Sequence, residues 1–214
     1  MNLDQNSRML KVISLLERDY ADTKTALTFK NPLEILVATI LSAQCTDKKV
    51  NEVTATLFQK YQTPEDYANA DLRKLEKQIK PTGFYHNKAK NIKNCCRMLI
   101  EKFDGEVPRT MEEILELPGV ARKTANIVLS NAYGVIVGIA VDTHVYRLAR
   151  RLGFTEKKDP NKIEKDLMDL VPSEKWMRIT DLLISHGRSI CTAKKPNCVG
   201  CNLNKLCPSA FTFD

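Results

Sequence analysis

The stretch Leu117-Pro118-Gly119-Val120-Ala121-Arg122-Lys123-Thr124-Ala125 joins two predicted helices by a very tight turn. Gly119 allows the backbone to approach its neighbours closely. The helix after the turn exposes unpaired backbone N–H groups and the positive end of its dipole. Such a turn can bind a phosphate without contacting a base. An ordinary pair of packed helices explains the same residues, so the stretch alone leaves both interpretations open.

Helical periodicity extends outward from this turn over nearly the whole chain, which predicts an all-α fold. The only strand-like piece, residues 135–141, is too isolated to build a sheet. No internal repeat or low-complexity linker interrupts the pattern. The predicted helices begin after Ser7, at Pro32, after Thr46 or Asp47, near Leu72, before Ala89, after Thr110, at Ala121, after Asp142, at Pro160 and near Ser173.

The composition is that of a folded, basic protein. The 214 residues are 43% hydrophobic, which allows one large domain or two modest ones and excludes a globally disordered chain. The formal net charge is +7. This charge suits a polyanionic partner such as nucleic acid, because each neutralised phosphate releases a counterion. A basic protein without such a partner has the same composition, so charge alone does not decide.

The chain shows no feature that directs it to a membrane or through one. Its first eight residues are polar, unlike a signal peptide. The longest apolar run, Ile35–Ala43, is interrupted by two hydroxyl residues and is far shorter than the roughly 20 residues of a membrane span. We therefore expect a cytoplasmic protein with no membrane partner. Its seven cysteines are then metal ligands or free thiols rather than disulfides.

Four of these cysteines form a cluster near the C-terminus with the spacing C-x6-C-x2-C-x5-C. Such a set predicts a tetrathiolate metal site that holds zinc or an iron–sulfur cluster. Zinc ribbons usually pair two C-x2-C knuckles, whereas two of the gaps here are wider and favour a [4Fe-4S] cluster. The proposed ligands are Cys191, Cys198, Cys201 and Cys207. The remaining Cys45, Cys95 and Cys96 are predicted to be small, semi-buried hydrophobic residues.

The cysteine-rich segment is also basic. No acidic residue occurs between Gly187 and Leu206. A metal site there could stiffen a short loop that presents cations to phosphates. The cations of this segment are Arg188, Lys194, Lys195 and Lys205.

Lys123 lies in the first turn of the helix that follows the tight turn. A cation there is disfavoured by the helix dipole, which favours the free amine. The free amine is the form that acts as a nucleophile in covalent catalysis. A solvated helix lysine is the other interpretation, and the residue alone does not separate them.

Asp142 lies in the sequence Val141-Asp142-Thr143-His144. It is predicted to cap a helix by accepting a backbone N–H bond from residue 144 or 145. A capping carboxylate is also fixed in orientation, as a group beside a developing sugar oxocarbenium ion must be. The two roles are compatible, whereas His144 is expected to be structural.

Five stretches together resemble the endonuclease III family within the helix-hairpin-helix DNA glycosylase superfamily. Their order and separations fit along almost the whole chain. The stretches are Leu-Ser-Ala-Gln-Cys-Thr-Asp (41–47), Leu-Pro-Gly-Val with Arg-Lys-Thr-Ala-Asn (117–126), Val-Asp-Thr-His (141–144), His-Gly-Arg (186–188) and the four-cysteine tail.

This resemblance implies a [4Fe-4S] cluster and two helical domains with DNA in the cleft between them. Residues 25–136 would form a six-helix barrel domain that contains the hairpin. Residues 1–24 and 137–214 would form the cluster domain. The implied partner is double-stranded DNA that contains a damaged base or an abasic site, and a monomer is expected.

The resemblance also implies roles for individual residues. Lys123 matches the family's nucleophile and Asp142 its essential carboxylate. Gln44 matches the residue that fills the gap left by an extruded nucleotide, and Phe84 falls where the family inserts an apolar wedge, often a leucine. Further DNA contacts are expected at Gly119, Ala121, Thr124, Arg188, Lys194 and Lys195.

One position departs from the family pattern. The hairpin commonly carries a second glycine where this chain has Ala121. The alanine methyl group could loosen a phosphate contact slightly. Alanine still presents its N–H group if its φ angle is negative.

The predicted function is a bifunctional DNA glycosylase and AP lyase of base excision repair. It would release damaged, chiefly oxidised, pyrimidines through a Schiff base on Lys123 and cut the strand 3′ to the site by β-elimination. Related adenine and thymine-mismatch glycosylases carry another residue at the lysine position, so Lys123 argues against a monofunctional mismatch glycosylase. A non-catalytic DNA-binding module and a redox-sensing module are the remaining alternatives.

Overall fold

A computed structural model describes residues 4–21 and 26–213 of the chain. Within these ranges it contains eleven α-helices and two short 3-10 turns but no β-strand, which confirms the predicted all-α fold. None of these helices combines the length and apolarity needed to cross a membrane. The helices are α1 (Gln5–Asp19), α2 (Pro32–Ser42), α3 (Asp47–Lys60), α4 (Pro64–Asn69), α5 (Leu72–Ile79), α6 (Tyr85–Lys102), α7 (Met111–Ile114), α8 (Arg122–Tyr133), α9 (Thr143–Arg151), α10 (Pro160–Leu170) and α11 (Trp176–Ser189).

Side-chain caps explain where most of these helices begin. Eight of the eleven described helices start at an Asp, Asn or Thr whose side chain accepts a backbone N–H from the first turn. Thr46, Asp142 and Asp159, each next to a predicted helix start, are among them. The predicted start of α1 after Ser7 is wrong, because Asp4 is the cap and receives both the N–H and the hydroxyl of Ser7.

Helix α4 was not predicted from the apolar pattern, because it is only six residues long. Its signal is a capping box. Thr63 accepts the N–H of Asp66, and the carboxylate of Asp66 accepts the N–H of Thr63 in return. The helix buries Tyr67 against the core.

The chain divides into two compact units. We call Ala26–Val137 the hairpin unit, and Met1–Thr25 with Gly138–Asp214 the cysteine unit. One predicted domain boundary, between residues 24 and 25, lies outside the described residues. Residues 135–141, the strand-like piece of the sequence, contain the change from one unit to the other and form no strand.

The hairpin unit is built around α2. Every side chain from Ile35 to Leu41 is buried, as expected for a helix that is apolar on most sides. Helix α2 packs against α3, α6 and α8, and α6 packs in turn against α4 and α5. Cys95 and Cys96 are each 1% exposed in this core, which confirms that they are apolar packing residues. Burial raises the pKa of the Cys95 thiol to about 12.

The cysteine unit joins the first helix of the chain to its last third. Helix α1 packs against α10 and α11, and α9 packs against the same two helices. The guanidinium of Arg8 on α1 donates to the carbonyls of Gly153 and Leu206 at 3.1 and 3.2 Å. It also stacks over Phe154 at 4.3 Å. The N-terminal helix α1 is therefore hydrogen-bonded both to the residues that follow α9 and to the C-terminal part of the chain.

Candidate functional site

The tight turn of the hairpin requires glycine at position 119 for two separate reasons. Gly119 has φ +81°, in the left-handed region that side chains disfavour. A Cβ atom there would also lie 2.8 Å from Cβ of Asn91 on α6. The turn is closed by a hydrogen bond from the N–H of Val120 to the carbonyl of Leu117 at 3.1 Å. The backbone of the hairpin therefore rests directly on α6.

The helix that follows this turn starts without a side-chain cap. Its first residue outside the helix, Ala121, has φ −94° and is exposed. The negative φ is the condition under which alanine keeps its N–H available where the family commonly has glycine. The first backbone N–H groups of α8 therefore donate no hydrogen bond to the side chain of the N-cap residue.

Lys123 occupies the second position of α8 and is exposed. Among the residues that the structure describes, no hydrogen bond or ion pair engages its ammonium group. Thr124, the next residue, is half-buried. A lysine that no carboxylate neutralises at an uncapped helix start is available for covalent chemistry.

The same absence of a side-chain cap occurs at α6, which begins directly after Phe84. Helix α11 also lacks such a cap, but it continues straight from a 3-10 turn. The two uncapped starts in the hairpin unit, α6 and α8, thus coincide with two of the places where the sequence predicts DNA contacts.

Gln44 and Phe84, the two predicted gap-filling residues, share an unusual backbone conformation. Their φ angles are +53° and +47°, two of the four left-handed non-glycine residues in the described ranges. Both side chains are exposed, and Phe84 is 63% exposed despite being a large apolar group. Left-handed backbone at such residues is strained and persists only where the surrounding structure enforces it.

Lys88 was missed by the sequence analysis. It lies on α6, is 4% exposed, and donates to two backbone carbonyls of the hairpin unit. A signal was present, because Lys88 precedes the buried Ile92 by four residues and so falls on the apolar face of its helix. A lysine on that face needs polar partners, but the sequence does not show which ones.

Asp142 caps α9 as the sequence predicts. Its Oδ1 accepts the backbone N–H groups of both His144 and Val145, each at 2.8 Å. Its Oδ2 takes part in no hydrogen bond within the described residues. The half-buried carboxylate is therefore held in one orientation by one oxygen, while the other oxygen stays available.

His144 has a structural environment, as expected. Its Nδ1 lies 3.1 Å from Nη2 of Arg147. Burial is the main cause that lowers the pKa of His144, and the positive charge of Arg147 lowers it further. A neutral imidazole that accepts from a guanidinium fits this arrangement.

Two arginines on α9 bind the backbone of the segment that we call the cysteine loop, residues 190–207. Arg147 donates to the carbonyl of Cys191 at 3.0 Å. Arg151 donates to the carbonyls of Thr192 and Ala193 at 2.8 and 2.9 Å, and its Nη1 lies 3.3 Å from Sγ of Cys191. The helix that begins at Asp142 thus ends in contact with the cysteine loop.

The four predicted ligands, Cys191, Cys198, Cys201 and Cys207, line one pocket in the cysteine unit. Apolar side chains such as Leu148 and Leu203 form much of its wall. No three His, Cys, Asp or Glu side chains of residues 4–21 and 26–213 converge on a single-ion site.

The thiols of this pocket are partly buried, which disfavours their charged form. Burial raises the pKa of Cys201 and of Cys207 above the ordinary thiol value. The Sγ of Cys201 lies 3.4 Å from Nε2 of His186, and Nδ1 of His186 lies 3.1 Å from the hydroxyl of Tyr20. Thiolates in this setting need a compensating positive charge, as a bound metal provides.

The predicted phosphate-binding cations of this unit are exposed. Lys194 and Lys195 lie within the cysteine loop itself, directly after the carbonyls that Arg151 binds. Arg188 is exposed near the end of α11. The loop therefore presents positive charge, and its backbone is hydrogen-bonded to Arg147 and Arg151.

Comparisons with known proteins find similar sequences and similar structures. The model of the HhH-GPD superfamily of base excision DNA repair proteins matches residues 37–173. The endonuclease III of Synechocystis sp. is 50% identical over 206 residues, which cover 96% of this chain and 94% of that protein. The endonuclease III of Bacillus subtilis is 52% identical over 182 residues, or 85% and 83% of the two chains. A solved trapped covalent endonuclease III–DNA intermediate has a TM-score of 0.93 at 44% identity and covers 99% of each chain.

Proposed function

We propose that Lys123 and Asp142 carry out the chemistry of this chain, which belongs to the HhH-GPD superfamily of base excision DNA repair proteins and, within it, to the endonuclease III family. The chain is a bifunctional enzyme, a DNA glycosylase with AP lyase activity. A related endonuclease III has been trapped in a covalent DNA intermediate. A covalent intermediate requires a nucleophile, and the exposed, unneutralised Lys123 supports that role.

Lys123 acts at C1′ of the damaged nucleotide. Its free amine forms a bond to C1′ while the glycosidic bond breaks, and the base leaves with the bonding electrons and takes up a proton. Opening of the sugar ring then gives an imine between C1′ and Nζ. The imine acidifies the C2′ protons, so that loss of one of them expels the 3′ phosphate by β-elimination. Water hydrolyses the imine and regenerates the amine.

Asp142 stabilises the positive charge that develops on the sugar as the base departs. Its proposed reacting atom is Oδ2, because Oδ1 is already engaged by two backbone N–H groups. The same oxygen is the proposed acceptor of the proton that the lysine amine loses. Fixing the carboxylate through its other oxygen means that little reorganisation is needed during the reaction.

The hairpin unit supplies the contacts that open the duplex. A nucleotide must leave the helix before its C1′ can be reached, at a cost of a few kcal/mol. Gln44 and Phe84 offset part of this cost by filling the hole. The backbone around Gly119, Ala121 and Thr124 binds a phosphate at the uncapped start of α8.

The cysteine unit holds a [4Fe-4S] cluster in this proposal. The fit rests on four cysteines around one pocket with the guanidinium of Arg151 beside one Sγ. A cube binds each thiolate at a different corner, so its ligands need not converge on one point. When bound, the cluster supplies a rigid crosslink between four points of the loop. Arg188, Lys194 and Lys195 then contact phosphates from that loop.

The proposed substrate is duplex DNA with an oxidised pyrimidine or an abasic site. We expect a monomer in the cytoplasm, associated with the nucleoid if the cell is prokaryotic. The observation that carries the whole proposal is Lys123 at the second position of an uncapped helix directly after the hairpin.

A panel of lesion-bearing duplexes tests this function when base release and strand cleavage are scored separately. Oxidised pyrimidines should be released, and cleavage 3′ to the site should follow each release without added base. Base release that leaves intact abasic strands would contradict the lyase mechanism.

A further inference from the structure

One buried lysine connects the two loops that carry Gln44 and Phe84. Lys88 lies on α6, four residues after Phe84, and is 4% exposed. Its Nζ donates to the carbonyl of Leu41 and to the carbonyl of Thr82, both at 2.8 Å. Leu41 precedes Gln44 by three residues, and Thr82 precedes Phe84 by two.

Both carbonyls lie where the backbone leaves a helical turn. Leu41 is in the last turn of α2, where carbonyls lack an N–H partner from their own helix. Thr82 ends the 3-10 turn that leads into Gly83 and Phe84. A single ammonium group therefore satisfies one acceptor at the base of each loop and fixes the distance between the two bases.

This arrangement is costly unless both bonds are made. Burial lowers the pKa of Lys88, and a buried ammonium group without partners is strongly destabilising. An apolar side chain of similar length would fill the same space without that cost. However, an apolar side chain would not connect the two backbone segments by hydrogen bonds.

The backbone that follows each of these two carbonyls is strained, so it needs support from neighbouring groups. Gln44 and Phe84 both occupy left-handed conformations, which require enforcement by neighbouring structure. Lys88 binds the chain a few residues before each of them.

We propose that Lys88 is a positioning residue that holds the Gln44 and Phe84 loops in register for insertion into the duplex. This role rests on the proposed function of Gln44 and Phe84 as gap-filling residues. Lys88 itself touches no DNA. It acts by presetting the two loops, so that the binding energy of insertion is not spent on ordering them.

Lys93 is a matched control on the same helix. Its Nζ also donates to two backbone carbonyls, those of Ala68 and Ala70. Ala68 lies in the last turn of α4 and Ala70 directly follows that helix, and this segment carries no predicted DNA contact. Lys88→Met and Lys93→Met therefore remove the same kind of bridge from two places, one beside the insertion loops and one away from them.

The test measures single-turnover base release from thymine glycol placed either in a fully paired duplex or in a bulge. Lys88→Met should lower the rate on the paired duplex by about tenfold. This is the rate change expected when the free energy of one charged hydrogen bond is lost from the transition state. On the bulged lesion, which is already unstacked, the loss should fall to about twofold or less. Lys93→Met should match the wild-type rate on both substrates.

Two results would overturn the positioning role. One is a wild-type rate for Lys88→Met on the paired duplex, and the other is an equal loss on both substrates, which marks a general structural defect. If circular dichroism shows that Lys88→Met does not fold, Lys88→Gln replaces it, because its shorter side chain keeps a buried donor but does not span both carbonyls. The same difference between paired and bulged lesions is then required.

Gln44→Ala and Phe84→Ala separate this inference from the function on which it rests. If both release the paired lesion at the wild-type rate, the insertion roles themselves fail. If both are slow while Lys88→Met is not, only the role of Lys88 fails.

Discussion

The hairpin unit and the cysteine unit hold their proposed functional side chains in different ways. Gln44, Phe84 and Lys123 are exposed on turns and helix starts, above a core in which α2 is buried almost completely. Asp142 is instead half-buried and doubly hydrogen-bonded, on a helix whose other end binds the cysteine loop through arginines. One unit thus relies on apolar packing beneath exposed groups, and the other on polar contacts around the proposed cluster ligands. Substitutions should therefore have different consequences in the two units.

The largest expected effect is in the hairpin unit. Lys123→Gln removes the amine without disturbing the core, because the side chain is exposed. Base release and strand cleavage should both fall by about ten-thousandfold, since loss of a nucleophile removes the covalent route. DNA affinity, measured by fluorescence anisotropy on an abasic-site analogue, should stay nearly unchanged.

Lys48 provides the matched control for this substitution. It also lies at the second position of a helix, but α3 is capped by the side chain of Thr46. Lys48→Gln should retain rapid base release. A comparable loss in both variants would remove the distinction between capped and uncapped helix starts.

The next effect is in the cysteine unit. Asp142→Asn keeps a side chain that caps helices as well as Asp, so α9 should be preserved. The rate of base release should nevertheless fall by about a hundred- to a thousandfold, as expected when a preorganised electrostatic group is lost. Single-turnover kinetics at saturating enzyme measure the chemical step directly.

Asp159→Asn is the control in the same unit, since Asp159 caps α10 with an equivalent hydrogen bond. Its rate should equal that of the wild type. If Asp142→Asn weakened DNA binding but left the chemical step intact, the carboxylate would have no role in the reaction.

Loss of the proposed cluster should destabilise the cysteine unit and leave the hairpin unit unchanged. Cys198→Ser removes one proposed ligand, and the free energy of metal binding is coupled to folding of the site. Amide hydrogen exchange should rise by about a hundredfold in α9 and the cysteine loop, while the helices of the hairpin unit stay protected. Visible absorbance of the cluster should be lost in the same variant.

Cys96→Ser tests the opposite unit. Cys96 is 1% exposed, so its hydroxyl replacement should lower the free energy of unfolding by about 1–3 kcal/mol. The cluster absorbance should be unchanged. Equal loss of absorbance in the two serine variants would show that the ligand assignment is wrong.

The last expected effect concerns the stability of the hairpin turn. Gly119→Ala meets both a left-handed φ and Asn91, so it should lower the free energy of unfolding by about 2–4 kcal/mol. Gly134→Ala meets only a φ of +66° and open space, so it should cost about 1–2 kcal/mol. Urea unfolding of both variants measures the difference. Equal decreases in the free energy of unfolding would mean that Asn91 on α6 moves to accept the new methyl group, and that α6 does not support the turn.

The sequence predicted the features that depend on neighbouring residues. The caps of α3, α9 and α10 follow from side chains within three residues of their partners, so they can be recognised without the fold. The short α4 was missed because six residues carry too little apolar periodicity, although its capping box was visible. Capping is thus a better guide than periodicity for short helices.

Long-range contacts could not be predicted in the same way. Lys88 binds a carbonyl 47 residues away, and a backbone carbonyl leaves no mark in the sequence. The same holds for Arg151, which binds carbonyls more than 40 residues further along. For the two proposed catalytic residues, position and residue type could be predicted from the sequence. The structure added the exposure of Lys123 and the Asp142 oxygen that takes part in no hydrogen bond within the described residues.

The most direct test of the central claim is to locate the covalent bond. The wild-type enzyme is incubated with a thymine glycol duplex in the presence of borohydride, which reduces the imine to a stable amine. Proteolysis and mass spectrometry then identify the modified peptide. The adduct should lie on Lys123, in the peptide that follows the hairpin. An adduct on any other lysine or on the terminal amine would contradict the account.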